Sequence, residues 1–265
     1  MRQPAIYISH GGGPWPFMPI SFIPPGDLDP LEAYLRTLVT SLPSPPRAVL
    51  MVSAHWEAPV ATLMTHPRPP MLFDYTGFGP EAYRLQWPAP TATFLVERVT
   101  QLLHEAGMPV AEDAARGFDH GTFVPMMVAL PGATLPILQV SLLDSMDPAA
   151  HIALGRALAP LRDEGVLLLG SGNSYHNMRG FGHAESTEPS RQFDEWLANA
   201  VTSEPGERAR RLLAWETAPA ARQCHPREEH LLPLHVMAGA APGDAGTLAL
   251  RLNALRVHVS CVQFG

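Results

Sequence analysis

Three short apolar runs in this chain each end in a polar turn that carries a histidine. Ala5-Ile6-Tyr7-Ile8-Ser9 leads into His10 and Gly11-Gly12-Gly13-Pro14. Ala48–Ala54 leads into His55-Trp56, and Val166-Leu167-Leu168-Leu169 leads into Gly170-Ser171-Gly172-Asn173-Ser174-Tyr175-His176-Asn177. Runs of this length, rich in β-branched or bulky apolar residues and bounded by turn signals, read as buried strands. Ala58–Thr65, Thr134–Leu142 and Leu255–Phe264 read as further strands, and a short segment opens at Val110. Between them the apolar spacing turns helical, over Pro30 to about Leu42, Thr91 to Ala106, Thr122–Ala129, Asp147–Arg162, Glu188–Val201, Glu204–Trp215 and Pro226–Gly239. Such alternation specifies an α/β fold: a mostly parallel or mixed central sheet with helices on both faces. No break in composition divides the 265 residues, so one domain over 1–265 is expected. Ligands of open α/β sheets bind outside the carboxyl ends of the strands. Three imidazoles delivered there by three strands can meet at one point, and a metal ion is the occupant that such a point favours.

Charge and cysteine content narrow the partners. The net charge is −7 and all 18 basic residues are arginine, a balance that argues against nucleic acid. No run approaches the ~18 uninterrupted apolar residues of a membrane helix. Met1-Arg2-Gln3-Pro4 enters the first strand without a signal-peptide layout, so a cytoplasmic location is expected. Cys224 and Cys261 have no metal-binding spacing; Cys261 reads as a small core residue.

Twelve histidines occur. His66, His104, His151, His183, His235 and His258 lie in loops, on helix faces or in a strand alternation, and carry no further signal. His10 is followed by three glycines, whose bare backbone lets a ligand approach. His55, His176 and His120 (in Gly117-Phe118-Asp119-His120-Gly121) sit in comparable turns. In Cys224-His225-Pro226-Arg227-Glu228-Glu229-His230, Pro226 suits a first helical turn and Glu228 and Glu229 suit its positive end. His230 then falls on the second turn and reaches inward. No Walker loop, Rossmann fingerprint or nucleophile elbow is present, and Ser171 lacks the spacing of a hydrolase serine. Imidazole donors suit zinc, iron, copper or nickel.

Seven segments are collinear and resemble the class III extradiol ring-cleaving dioxygenases. They are Ser9–Pro14, Val52–Trp56, Phe73–Phe78, Gly117–Gly121, Pro136–Ser141, Gly170–Asn177 and Glu229–Leu234. The nearest likeness is to the DOPA-dioxygenase-type branch, related to the catalytic subunit of protocatechuate 4,5-dioxygenase. The resemblance implies a single catalytic domain and a non-haem Fe(II) enzyme of aromatic catabolism, often isolated with Zn(II). It implies a small catechol and O2 as partners, no membrane or nucleic acid, and leaves an oligomer open. On it His10 and His55 are metal ligands. The third falls at His230, where the protocatechuate branch has a carboxylate, with Glu228 and Glu229 adjacent here. His176 matches the acid/base histidine and is an additional donor option for the metal; His120 matches a second active-site histidine.

Residue chemistry is consistent with these roles. A catechol must lose protons to chelate a metal, and imidazole takes and returns protons near neutrality. His176 would deprotonate the diol and later return a proton so that the O–O bond breaks; His120 would hydrogen-bond an oxygen. Trp56, Phe73, Tyr75 and Phe78 would wall the apolar part of the pocket. An acidic substituent would call for an arginine, with Arg84, Arg116 and Arg179 as candidates. Two other readings stand beside this one: a zinc-dependent hydrolase on the same scaffold, and a non-enzymatic binding protein.

Overall fold

In a computed structural model of the chain, which describes residues 1–265, the three histidine-bearing runs become neighbours in one eight-stranded sheet. The strands are β1 (Ala5–Ser9), β2 (Ala48–Ala58), β3 (Ala61–Met64), β4 (Val110–Asp113), β5 (Ile137–Leu143), β6 (Val166–Gly172), β7 (Gly246–Ala254) and β8 (Val257–Phe264). The helices are α1 (Asp29–Thr37), α2 (Val96–Glu105), α3 (His120–Ala129), α4 (Pro148–Leu158), α5 (Pro160–Asp163), α6 (Thr187–Val201), α7 (Pro205–Leu213), α8 (Ala221–Cys224) and α9 (Leu232–Gly239). Across the sheet the order is β4-β3-β5-β2-β6-β1-β8-β7. β5, β2, β6 and β1 run parallel, whereas β3 pairs antiparallel with β5 and β8 with both β1 and β7. The sheet is therefore mixed, and β2, β6 and β1 point their carboxyl ends the same way at its centre.

Helices cover both faces, and β6 shows why its sequence requires this. Successive strand side chains point to opposite faces. A Cβ at Gly170 or Gly172 would strike the backbone of Pro233 or His230, on the α9 side. Ser171 between them points the other way and donates its hydroxyl to the Gly121 carbonyl in α3. Buried on both sides, the central strands read as near-continuous apolar runs rather than alternations. Asp147 caps α4 by accepting from the Ala149 N–H at 3.0 Å, with Pro148 in the first turn.

Several boundaries differ from the sequence reading. The Gly170-Ser171-Gly172 segment belongs to β6 rather than to the turn beyond it, because glycine there admits the α9 segment at close range. β2 continues through His55 to Ala58, with a register shift against β5 between Val52 and Glu57. The last helix starts at Leu232, not Pro226, with Pro233 in its first turn rather than as a kink. His230 accordingly lies in the loop before the helix, and Glu228 and Glu229 do not cap it. β7, a half-exposed edge strand, has no counterpart in the sequence reading. No helix is long and apolar enough to cross a membrane.

The buried histidines outside the sheet rim make the fold acid-sensitive. His151 receives the Leu143 N–H at 3.1 Å and bonds the Asp147 carbonyl at 2.7 Å, and burial pulls its pKa down to about 4. Burial likewise pulls His225 down to about 3. An imidazole that titrates lower folded than unfolded favours the native state above its unfolded value of about 6.5, and that contribution is lost as the pH falls. The melting temperature is therefore expected to be level above about pH 7 and to fall steadily from about pH 6.5 towards 4. A calorimetric melting series checks this; a melting temperature unchanged down to pH 4 would contradict it.

Candidate active site

Five imidazoles meet at the rim formed by the carboxyl ends of β1, β2 and β6. His10 follows β1, His55 lies in the carboxyl-terminal part of β2, and His176 follows β6. His120 opens α3, and His230 precedes α9. The Nε2 atoms of His10 and His55 are 3.3 Å apart. One nitrogen from each of His10, His55 and His230 lies within 4.8 Å of the others.

Hydrogen bonding decides which nitrogens face inward. Ser171 spends its hydroxyl proton on the Gly121 carbonyl, so its oxygen accepts from His10 Nδ1 at 3.1 Å. Asp74 Oδ2 lies 3.3 Å from His55 Nδ1, and Glu229 Oε1 lies 3.1 Å from His230 Nδ1. Each of these three imidazoles thus carries its proton on Nδ1 and turns an Nε2 lone pair inward. His230 Nε2 is buried with no hydrogen-bond partner at all. Three lone pairs facing one another repel unless a cation lies between them, and a buried orphan nitrogen is costly. Burial, reinforced by neighbouring imidazoles, lowers the pKa of His10 and His230 well below the ordinary value. Burial and His120 lower His55 to about 4, against the raising effect of Asp119 and Asp74. All three rings are therefore neutral donors at pH 7, as a zinc or iron site requires.

Two carboxylates each serve a pair of rings. Asp74 Oδ1 takes His120 Nδ1 at 2.7 Å and the His120 backbone N–H at 2.9 Å, while its other oxygen holds His55. Glu229 Oε1 takes His176 Nδ1 at 3.2 Å as well as His230. His176 stacks on His230, with ring centroids 3.2 Å apart and planes inclined by 11°. Burial alone would raise both carboxyls, but the hydrogen bonds and charges of their histidines, with Arg227 beside Glu229, hold each below its usual value. Both are ionised acceptors. Beneath them Asp119 is fully buried and takes Ser53 at 2.7 Å, Arg116 at 3.1 Å, Gln139 and the Thr122 N–H, which fixes the start of α3 and hence His120.

The expected site residues sort cleanly. His10, His55, His120, His176 and His230 all line one cavity of about 380 Å³, with Tyr75 and Phe78 in its wall. Trp56 and Phe73 are absent from that wall. Trp56 follows His55 and is turned away under the Arg116 guanidinium, 4.5 Å from its ring. Phe73 packs on Tyr75, Tyr83 and Phe123. Ser171, which lacks the spacing of a hydrolase serine, is fully buried and orients His10. Asp74 and the pairing role of Glu229 were missed. Asp74 stands inside the Phe73–Phe78 segment, and the signal was a lone carboxylate in an aromatic loop. Asn173 was also missed; its Nδ2 is 3.3 Å from both His10 Nε2 and the Gly11 carbonyl.

The model of the catalytic LigB subunit of aromatic ring-opening dioxygenase matches residues 27–262. The chain belongs to this family of class III extradiol dioxygenases. A 4,5-DOPA dioxygenase extradiol of Beta vulgaris is 36% identical over 241 residues, which cover 89% of this chain and 86% of that protein. Its counterpart in Escherichia coli (strain K12) is 33% identical over 253 residues, covering 92% and 87%. A crystal structure of an uncharacterized Escherichia coli K12 protein superimposes with a TM-score of 0.80 at 27% identity, over the full length of both chains. The protein is thus an extradiol ring-cleaving dioxygenase that uses O2 on a small aromatic molecule, as a non-haem metal enzyme. The hydrolase and binding-protein readings are not favoured.

Two expectations arise from the site's supports. Asp74→Asn and Glu229→Gln remove the charge that fixes the tautomer of His55 or His230, and each is expected to weaken metal affinity about 10–100-fold. Competition with a chromophoric chelator measures this. In Gly172→Ala the new methyl would lie 2.1 Å from the His230 carbonyl oxygen, which Tyr7 Oη also holds at 2.7 Å. That substitution is expected to displace His230 and destabilise the fold by about 1–3 kcal/mol. Denaturant titration with metal analysis checks it; native stability and full metal content would show that the loop yields freely.

Proposed function

We propose that this single catalytic domain, residues 1–265, opens a catechol ring with O2 at a ferrous ion held by His10, His55 and His230. The observation that supports this most is the trio of inward Nε2 lone pairs, each fixed by an acceptor on Nδ1, with His230 Nε2 otherwise unpartnered. The donor set fits the ion by chemistry and count. When bound there, Fe(II) supplies Lewis acidity for the diolate and electrons for O2; zinc suits the same three nitrogens and would be inert towards O2.

The remaining work is assigned to the chain. His176 takes a diol proton at Nε2, its Nδ1–H directed at Glu229, whose carboxylate stabilises the imidazolium. The same ring gives the proton back as the ring opens. His120, held at Nδ1 by Asp74, presents Nε2 as a hydrogen-bond partner to a substrate or product oxygen. Asn173 supports the His10 side of the site, and Tyr75 and Phe78 exclude water from one wall. A cytoplasmic setting fits two buried, unpaired thiols.

Anaerobic reconstitution with Fe(II), followed by an O2 electrode and catechols, tests this. Uptake of one O2 per ring with a yellow semialdehyde product is expected. Turnover that is indifferent to O2 and restored by zinc would instead establish a hydrolase.

A further inference from the structure

Away from the imidazoles the cavity changes character completely. Its walls there come from the loop before α1, the segment after β6, and the β7–β8 hairpin, through Phe22, Ile23, Phe181, Leu252, Leu255 and Val259. No aspartate, glutamate or arginine contributes to the wall, and the chain contains no lysine. The three arginines that could have met an acidic substituent are elsewhere. Arg116 is committed to Asp119 at 3.1 Å and to the Trp56 face, while Arg84 and Arg179 are exposed and outside the lining. Arg227 and Arg251, also outside the lining, are taken by Glu57 and Asp194.

The hairpin turn shows that this apolar end is built at a cost. β7 and β8 are joined by a two-residue turn, Leu255-Arg256, with φ of +51° and +60°. Such turns favour Asn-Gly, because larger residues are strained at positive φ. Here a leucine occupies the strained position and its side chain lines the cavity. The turn is braced from outside: the Leu255 N–H donates to Asp27 Oδ2 at 2.8 Å, and its carbonyl accepts from the Gly182 N–H at 2.7 Å. Strain held in place by its surroundings next to a ligand cavity points to a functional requirement for that side chain.

We propose that the substrate is a catechol bearing an uncharged, apolar substituent, seated with its diol at the imidazoles and its substituent against Leu252, Leu255 and Val259. This rests on the ring-opening reading above and adds the substrate class. A carboxylate in that region loses its water and meets no cation, and an ammonium meets no anion, so acidic and amino-acid catechols are disfavoured. An alkyl chain gains with every methylene removed from water.

The test uses the full chain loaded with Fe(II) and the series from 4-methylcatechol to 4-butylcatechol, with protocatechuate and DOPA as charged comparators. Expected is a rise in kcat/KM of about threefold to fourfold per methylene, with both comparators about 100-fold below 4-butylcatechol. Calorimetric binding to the zinc-loaded protein under nitrogen reads the same order without turnover. Met178→Arg, at a rim position that is 67% exposed, is expected to narrow the gap to protocatechuate about tenfold. Affinity that is flat along the series, absent binding of 4-butylcatechol, or equal or better binding of either comparator overturns the proposal. Tight binding of 4-butylcatechol with no O2 uptake on any catechol would overturn the ring-opening reading and leave the substrate pocket as argued.

Discussion

Alanine at His10, His55 or His230 is expected to abolish metal retention and, with it, ring cleavage. Each residue supplies one of three inward Nε2 atoms, and one nitrogen from each of the three lies within 4.8 Å of the others. Loss of outer partners of such ligands already costs about 10–100-fold in affinity, so loss of a ligand should exceed about 100-fold. The apo protein provides the control. If metal holds the three lone pairs together, then chelation of the wild type should lower its melting temperature, and the alanine variants should no longer respond to added metal. Metal analysis after gel filtration and melting curves with and without Fe(II) measure both effects. A stoichiometric ion retained by His230→Ala would transfer the third position to Glu229, whose Oε1 is adjacent.

The second large effect is kinetic. His176→Ala is expected to keep the metal and lower kcat about 10²- to 10⁴-fold, the range that a general acid–base contributes. The geometry separates this from a binding effect. His176 shares Glu229 with His230 but is outside the His10–His55–His230 trio. Its removal leaves the three ligands and their acceptors in place, so metal content and catechol affinity should change little while turnover collapses. Single-turnover oxygenation with the ion quantified in the same sample reads both quantities. Wild-type ring cleavage by His176→Ala would remove the proton-transfer role assigned to His176.

Much of this site is visible in one dimension because the signals are local. Strand length, turn chemistry and the switch between two- and 3.6-residue periods are properties of neighbouring residues. They sufficed for the α/β sheet and for His10, His55 and His176 at the strand ends. The aromatic wall was legible only by half. Tyr75 and Phe78 line the cavity, but Trp56, next to His55 in β2, faces the Arg116 guanidinium instead, because neighbouring strand residues point to opposite faces. The helix expected from Pro226 instead starts at Leu232, which leaves His230 in the preceding loop, since Pro226 is as compatible with a loop as with a helix start.

What this sequence determined unaided is the supply of chemistry: imidazoles after buried strands, no lysine, and a net negative chain. The fold decided how that supply is used. Asp74 lies 46 residues from His120, and Ser171 lies 161 residues from His10, yet these contacts choose which nitrogen of each ring turns inward. The same holds for the apolar end of the cavity, where Leu255 meets the site only through the β7–β8 hairpin. Proton placement and wall polarity depend on partners distant along the chain, and only close packing brings those partners within the few ångströms at which hydrogen bonds and desolvation act.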